Sequence, residues 1–209
     1  LGTTAKNIRT LFEFAQKNPC VLFLDEFDAI AKARDDNNEL GELKRVVNSL
    51  LQNIDSLDRN TLLVAATNHE ELLDKAIWRR FNYRLKVDLP DFEARKKLII
   101  LFIKSVIEID DKALEMLGIL TEGMSGAEIE EVINKTIQKS IVFEQSLKVN
   151  DVFNEIIEFK GVFENDIGTK ENLKEKIKYL RSIDEKLFSY AAIGRVFELS
   201  KSQVSNLLK

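Results

Sequence analysis

The chain has 209 residues, a net charge of −4, 44% hydrophobic and 32% charged residues, 8 Gly, 2 Pro and one Cys. So little Pro and Gly argues against disordered, collagen-like and turn-rich all-β chains; a lone Cys20 excludes an internal disulfide or a cysteine metal cluster and suits a reducing, cytoplasmic compartment. The acidic balance gives no global basic field for nucleic acid, and apolar runs at 21–24, 62–66 and 98–103 fall far short of the roughly 20 residues of a membrane span, so no membrane contact is expected.

Ile8, Leu11, Phe12 and Ala15 recur at helical spacing, and Pro19 closes that segment. Val21 to Leu24 is a continuous apolar run, as in a parallel strand buried on both faces. A polar stretch from Arg34 to Gly41 follows. Within it Arg34 to Glu39 reads equally as a plain surface loop or as a loop facing an oligomer's pore. Leu43, Val46, Val47, Leu50, Leu51 and Ile54 are helical again. Leu62 to Ala66 predicts a second buried strand, and Arg84 to Leu89 a third, stopped by Pro90. Strands alternating with helices predict an α/β layer with a parallel sheet.

Beyond Pro90 helical periodicity takes over. Asp91 predicts a cap for a helix to about residue 107, with further helices at about 111–121, 126–144 and 150–160. Residues 165–169 read as a linker. The expected organisation is an α/β domain over 1–90, a helical domain over 91–164 and a helical segment over 165–209. From 170 to 209 there are nine basic and five acidic residues, a net +4 against −8 for the rest.

Asp25 and Glu26 directly follow the first apolar run. A buried strand delivers such acids to the carboxyl edge of its sheet, where ligands of open α/β folds bind. One carboxylate there is suited to hold Mg²⁺ through water, and the other to orient or deprotonate an attacking water. The plainer reading is a strand ending in solvated acids. Asn68, after Thr67, ends the second strand and would bring an amide to the same edge; alternatively it forms a turn. Arg79 and Arg80 read either as a solvated loop or as guanidinium groups that stabilise a transferring phosphoryl group at a subunit border.

The order of these parts resembles the AAA+ ATPases over about residues 1–160. Asn7-Ile8-Arg9 and Pro19 to Ile30, with Asp25 and Glu26, resemble the Walker B region. Leu62 to Asn68 resembles the sensor 1 strand. Leu73 to Phe81, with Leu89-Pro90-Asp91 and Ala94-Arg95, resembles the arginine-finger segment and the start of the helical lid. Gly123 to Ile129 resembles the sensor 2 region of the protein-remodelling AAA clade, which has Gly-Ala where other clades carry arginine.

The resemblance implies ATP and Mg²⁺ as cofactors. It makes Asp25 the metal-associated acid, Glu26 the water-activating base and Asn68 the sensor. Arg79 and Arg80 become fingers acting on a neighbour's ATP, in a homo-oligomeric ring of six that works on a protein substrate. Gly126 and Ala127 would lie against the nucleotide, and Asp28 would shape the loop after the strand. The 209 residues contain no G-x-x-x-x-G-K-[ST] loop to cradle phosphates. The resemblance places that loop upstream of residue 1, with Leu1-Gly2 as the tail of the pore loop. The expectation is an amino-terminally truncated fragment that binds ATP weakly and does not hydrolyse it.

Residues 190–209 resemble a helix-turn-helix. Ala192 and Ile193 would pack the first helix, Glu198-Leu199 would turn, and Ser200 would cap the second helix. Val204, Leu207 and Leu208 would face inward. Lys201, Ser202, Gln203, Ser205 and Asn206 would then face outward, where they suit base edges or phosphates of DNA, with Lys178 and Arg181 as further phosphate contacts. Many such motifs have Gly in the turn where this chain has Glu198; an ordinary helical pair used for protein contacts is the alternative.

His69 is the only histidine, which excludes a histidine metal site or triad, and it reads as a surface loop residue. Cys20 and the phenylalanines 12, 14, 23 and 27 read as packing. Three functions stay open: an oligomeric AAA ATPase remodelling protein or protein–DNA substrates, a DNA-associated ATPase directed by the tail, and a non-catalytic binding module.

Overall fold

A computed structural model of the chain describes residues 2–29, 42–58, 60–73, 75–103, 106–161 and 170–208. The loop from Arg34 to Glu39, Leu1, Asp74 and the 165–169 linker lie outside the described residues. Two compact units emerge, Leu1–Lys86 and Val87–Lys209.

In the first unit, α1 (Gly2–Lys17) leads into β1 (Cys20–Leu24), and α2 (Glu42–Asp55) leads into β2 (Thr61–Ala65). The strands are parallel, in register from Cys20–Thr61 to Leu24–Ala65. Parallel neighbours cannot be joined by a tight turn, so α2 belongs to the crossover between them. Helices α1 and α2 pack together. Phe12, Leu22, Phe27, Val47, Leu50, Leu51 and Ile54 form the core with Leu73 and Ile77. Ile77 lies on the one-turn helix α3 (Lys75–Trp78).

Three expectations are corrected here. Neither strand is buried on both faces: Leu22 is buried, but Val21, Phe23 and Leu62 are 65%, 57% and 61% exposed. A pleated run has two faces, and among the described residues helices cover only one. Phe14 and Phe23 are likewise exposed, while Phe12 and Phe27 are core. Residues 84–89 form no strand among the described residues. Their alternation is present, yet Leu85 and Val87 are 91% and 93% exposed. A strand exists through its ladder, and no described segment pairs with this one.

Among the described residues the regular elements of the second unit are all helices: α4 (Phe92–Ile103), α5 (Asp111–Leu120), α6 (Gly126–Val142), α7 (Val149–Phe159), α8 (Lys170–Ile183), α9 (Tyr190–Val196) and α10 (Lys201–Leu207). The caps fix the starts. Asp91 accepts the Ala94 N–H at 2.8 Å and Asp110 the Ala113 N–H at 2.7 Å. Ser125 and Glu128 form a reciprocal capping box at the head of α6. The described part of the first helix runs to Ile103, and residues 106–107 are not helical, against a predicted end at about 107.

One hydrophobic core runs through this unit, from Ile99 and Leu117 through Ile133 and Phe153 to Ile177, Ile193 and Val204. Two buried polar groups tie its helices. Arg95 donates to the Gly118 and Pro90 carbonyls at 3.0 and 2.9 Å, so its charge is met by carbonyl oxygens. Glu155 on α7 pairs with Lys135 and Lys139 of α6, both at 2.5 Å. Burial pushes the Glu155 carboxyl up, and the two lysines more than offset this, leaving it below its ordinary value. Among the described residues no helix is long and apolar enough to cross a membrane.

Candidate functional site

Pairing of the two chains continues past the strand ends. Ala66 N–H donates to Leu24 O, and Phe27 N–H donates to Ala66 O, both at 2.9 Å. Asp25-Glu26 and Thr67-Asn68 therefore leave the sheet side by side at its carboxyl edge. Asp25, Glu26 and Asn68 are exposed there. Asp25 Oδ1 accepts its neighbour's amide, Glu26 N–H, at 2.9 Å.

Glu26 has φ +50°, a left-handed conformation that costs a residue with a Cβ about 1–2 kcal/mol. Such strain persists when the surroundings over-determine it. Here Phe27 is buried edge-on against Phe81 at 5.6 Å, and Ala29 N–H returns to Glu26 O at 2.9 Å. The acid is thus fixed on a closed turn between a core aromatic and the strand.

Asp28 is 7% exposed. Its Oδ1 accepts the Thr67 hydroxyl at 3.1 Å, and Thr67 Oγ1 accepts the His69 N–H at 3.0 Å. The His69 ring lies 3.0 Å from Glu71 Oε1. Backbone hydrogen bonding first, and then the His69 ring, hold the Glu71 carboxyl below its ordinary value. His69 is exposed, as a loop residue. The Thr67 bridge escaped sequence reading; the only available signal was a hydroxyl residue directly before Asn68.

The two arginines differ. Arg80 donates to the Ala76 carbonyl and to Asp55 Oδ2, both at 2.7 Å. Asp55 ends α2, near Ser56, which meets α1 through Gln16. That is the side where the strands begin, away from the acids. Arg79 is exposed, and its side chain has no hydrogen bond or ion pair among the described residues. Arg84 stacks over Trp78 at 4.4 Å.

Gly126 and Ala127 belong to the second unit, at the first turn of α6. A Cβ at Gly126 would meet Leu98 Cδ1 at 3.6 Å, an ordinary contact, so packing does not demand glycine there. Ala127 is exposed. Hydrogen bonds from Ser125, backbone first and hydroxyl second, keep Glu128 below its ordinary pKa.

Asp25 suits a metal held through water: it is an exposed carboxylate beside a second one, with one oxygen turned to an amide. Among the described residues no group of three His, Cys, Asp or Glu side chains forms a cage for direct coordination.

Helices α9 and α10 make a tight pair. Ser189 caps α9, and a Ser200–Gln203 capping box starts α10. Glu198 between them has φ +56°, the conformation that glycine supplies at little cost. Leu199 N–H donates to Gly194 O at 2.7 Å. Val204 is fully buried; Lys201, Ser202, Gln203 and Asn206 are exposed and Ser205 is half-buried. Gln203 Oε1 is engaged by Ser200 N–H at 2.8 Å. Lys178 pairs with Glu175 at 2.6 Å, and Arg181 pairs with Glu185 at 2.7 Å while stacking over Tyr190. Glu198 is bound by Lys148 at 2.9 Å. Arg195 is exposed.

Residues 1–89 match the sequence model of the ATPase family associated with various cellular activities (AAA). Over 151 residues the chain is 47% identical to y4kL, an uncharacterized AAA family ATPase of Sinorhizobium fredii, covering 72% of this chain and 45% of that protein. It is 35% identical to a proteasome-activating nucleotidase of Saccharolobus solfataricus over 189 residues, covering 87% of this chain and 46% of that protein. It is 32% identical to an ATP-dependent zinc metalloprotease FtsH of Acaryochloris marina, covering 93% of this chain and 30% of that one. Among solved structures, the FIGL-1 AAA domain in complex with ADP superposes with a TM-score of 0.64 at 25% identity, covering 94% of this chain and 64% of the other. The chain spans less than half the length of these three sequence relatives. Its mixed α/β fold is AAA-like.

Proposed function

We propose that this AAA-type chain is part of an ATPase that works as a ring, six subunits being the number the resemblance implies, in the cytoplasm, to remodel a protein or protein–DNA substrate. The carrying observation is the carboxyl edge, where hydrogen bonds past the strand ends set Asp25 and Glu26 beside Thr67 and Asn68. Glu26 takes the proton from the attacking water, and its closed turn fixes the backbone from which the carboxylate projects. Asn68 orients that water with its amide. Asp25 would hold Mg²⁺ through water, and the ion would supply neutralisation of charge on the phosphate oxygens.

Arg79, exposed and without a partner among the described residues, reaches a neighbouring subunit's nucleotide. Arg80, tied to Asp55, braces the segment that carries Arg79. Gly126 and Ala127 lie against the nucleotide, where the head of a 17-residue helix favours anionic groups. The 209 residues hold no glycine-rich lysine loop, so by themselves they bind ATP weakly and do not turn it over. In a full-length protein, Glu26→Gln retains bound ATP and abolishes hydrolysis. Unchanged turnover removes Glu26 from the mechanism and leaves a non-catalytic binding module as the alternative.

The α9–α10 pair favours a second, compatible reading, DNA binding through Lys201, Ser202, Ser205 and Asn206, with Gln203 limited to its amide nitrogen. The capped helix, left-handed turn and buried Val204 support it. Lys178 and Arg181 are already paired, so Arg195 is the freer phosphate contact. A salt-dependent shift of duplex DNA is expected, weakened by Lys201→Ala; no shift at low salt ends this reading.

A further inference from the structure

We propose that Thr67 is a positioning residue for hydrolysis, and that with buried Asp28 it clasps the turn carrying Glu26 to the turn carrying Asn68; this rests on the ATPase reading above. Glu26 and Asp28 share one closed turn, sealed by Ala29 N–H to Glu26 O at 2.9 Å. Asn68 lies between two pinned points on the facing chain. Ala66 before it donates its N–H to Leu24 O of β1 and accepts the Phe27 N–H from the turn that carries Glu26. His69 after it has its N–H held by Thr67 Oγ1 at 3.0 Å.

The same hydroxyl donates to Asp28 Oδ1 at 3.1 Å. A hydroxyl has one proton, and an ionised carboxylate only accepts. The Asp28 bond therefore turns the Thr67 lone pairs to the His69 amide, and one side chain closes both turns at once. Asn68's own amide stays exposed and available for a ligand. In this clasp the Asp28–Thr67 bond is the side-chain link from the turn of the acid to the turn of the sensor. Losing it frees Asn68 to shift relative to Glu26, and misplacement on the order of 1 Å costs up to about a hundredfold in rate.

The test is magnesium-dependent ATP hydrolysis by the full-length protein, with nucleotide affinity read from a fluorescent ADP analogue and folding from the melting temperature. Thr67→Val keeps the shape and deletes the hydroxyl; Thr67→Ala deletes it without demanding space; Thr67→Ser restores it. The valine or alanine variant is expected to lose about tenfold or more in kcat with nucleotide affinity within about twofold of wild type, and the serine variant to recover most of that rate.

Two results overturn the proposal: a normal kcat in the valine and alanine variants, or a joint fall of kcat, affinity and melting temperature that serine does not rescue. The Glu26→Gln protein separates the two layers. If it hydrolyses ATP normally, the ATPase reading itself fails. If it is dead while Thr67→Val is fully active, only the clasp fails.

Discussion

Replacing Gly194 by alanine probes the tightest backbone approach in the helical unit. A Cβ at this position would sit 2.5 Å from the Leu199 carbonyl oxygen, 3.5 Å from its carbon and 3.7 Å from the Lys201 nitrogen. A tolerable carbon–oxygen contact requires the gap to open by roughly 0.7 Å. The obstacle is backbone, and it has little room to retreat. Leu199 N–H is bonded to the Gly194 carbonyl at 2.7 Å, and the following Ser200 is committed to the α10 cap.

Overpacking of this kind costs about 1–3 kcal/mol. The strained Leu199–Gly194 bond forfeits about 1 kcal/mol. Alanine's advantage over glycine inside a helix returns about 1 kcal/mol. The balance is a loss of about 1–3 kcal/mol, or roughly 2–4 °C in melting temperature per kcal/mol for a chain of this size. Urea and thermal unfolding followed by circular dichroism give both numbers. A Gly194→Ala protein as stable as wild type, or more stable by the helix-propensity gain, refutes the close approach and with it the tight turn.

The Glu155 clasp gives a pH profile with two limbs. The folded carboxyl is depressed from 4.5, so its contribution is complete above that value and disappears as pH falls through the lower folded value. Lys139 is raised from 10.5, chiefly by its hydrogen bond to Glu155, so its contribution is complete below 10.5 and disappears as pH rises through the higher folded value. Melting temperature against pH should decline at both ends, and Glu155→Gln should flatten the acid limb. An unchanged acid limb shows that the pair contributes nothing. On the proposed ATPase reading, Arg79→Ala in the full-length protein should reduce hydrolysis by about 10³-fold at unchanged melting temperature, whereas Arg80→Ala should lower the melting temperature as well; identical behaviour of the two would refute their division of labour. Ser200→Ala should cost about 1 kcal/mol in urea unfolding by removing the α10 cap, and a value near zero would show that the cap is not formed in solution.

The helices were legible chiefly from apolar residues at helical spacing, with a capping side chain read in front of two of them. Asp91 and Ser200 cap as read, and Asp110 and Ser125 cap two further helices where no cap was read. The sheet was less legible. Alternation at Tyr83, Leu85, Val87 and Leu89 describes the two faces a strand would have, but a ladder needs a neighbour, and neighbours are not encoded locally. The same gap explains why Val21 and Phe23 read as buried: their hydrophobicity says they can be covered and not that a described residue covers them.

At the site, Asp25, Glu26 and Asn68 were readable because an apolar run followed by acids fixes where a strand ends. The Asp28–Thr67 bridge was not, since it spans 39 residues and depends on the Leu24–Ala65 register. Arg79 and Arg80 are adjacent and chemically identical; only the packing of α3 against the end of α2 tells them apart. Glu155 reads as an ordinary surface acid until α6 brings two lysines from 16 and 20 positions earlier.

The uninterrupted core of the helical unit has a mechanical corollary. Each fully enclosed side chain such as Ile177, Ile193 or Val204 is worth roughly 1.5–3 kcal/mol of burial, so peeling α9 and α10 away from the rest would forfeit several at once. The terminal pair is therefore built into the core of its unit, and what unfolds that core must release Lys201 and Asn206 with it.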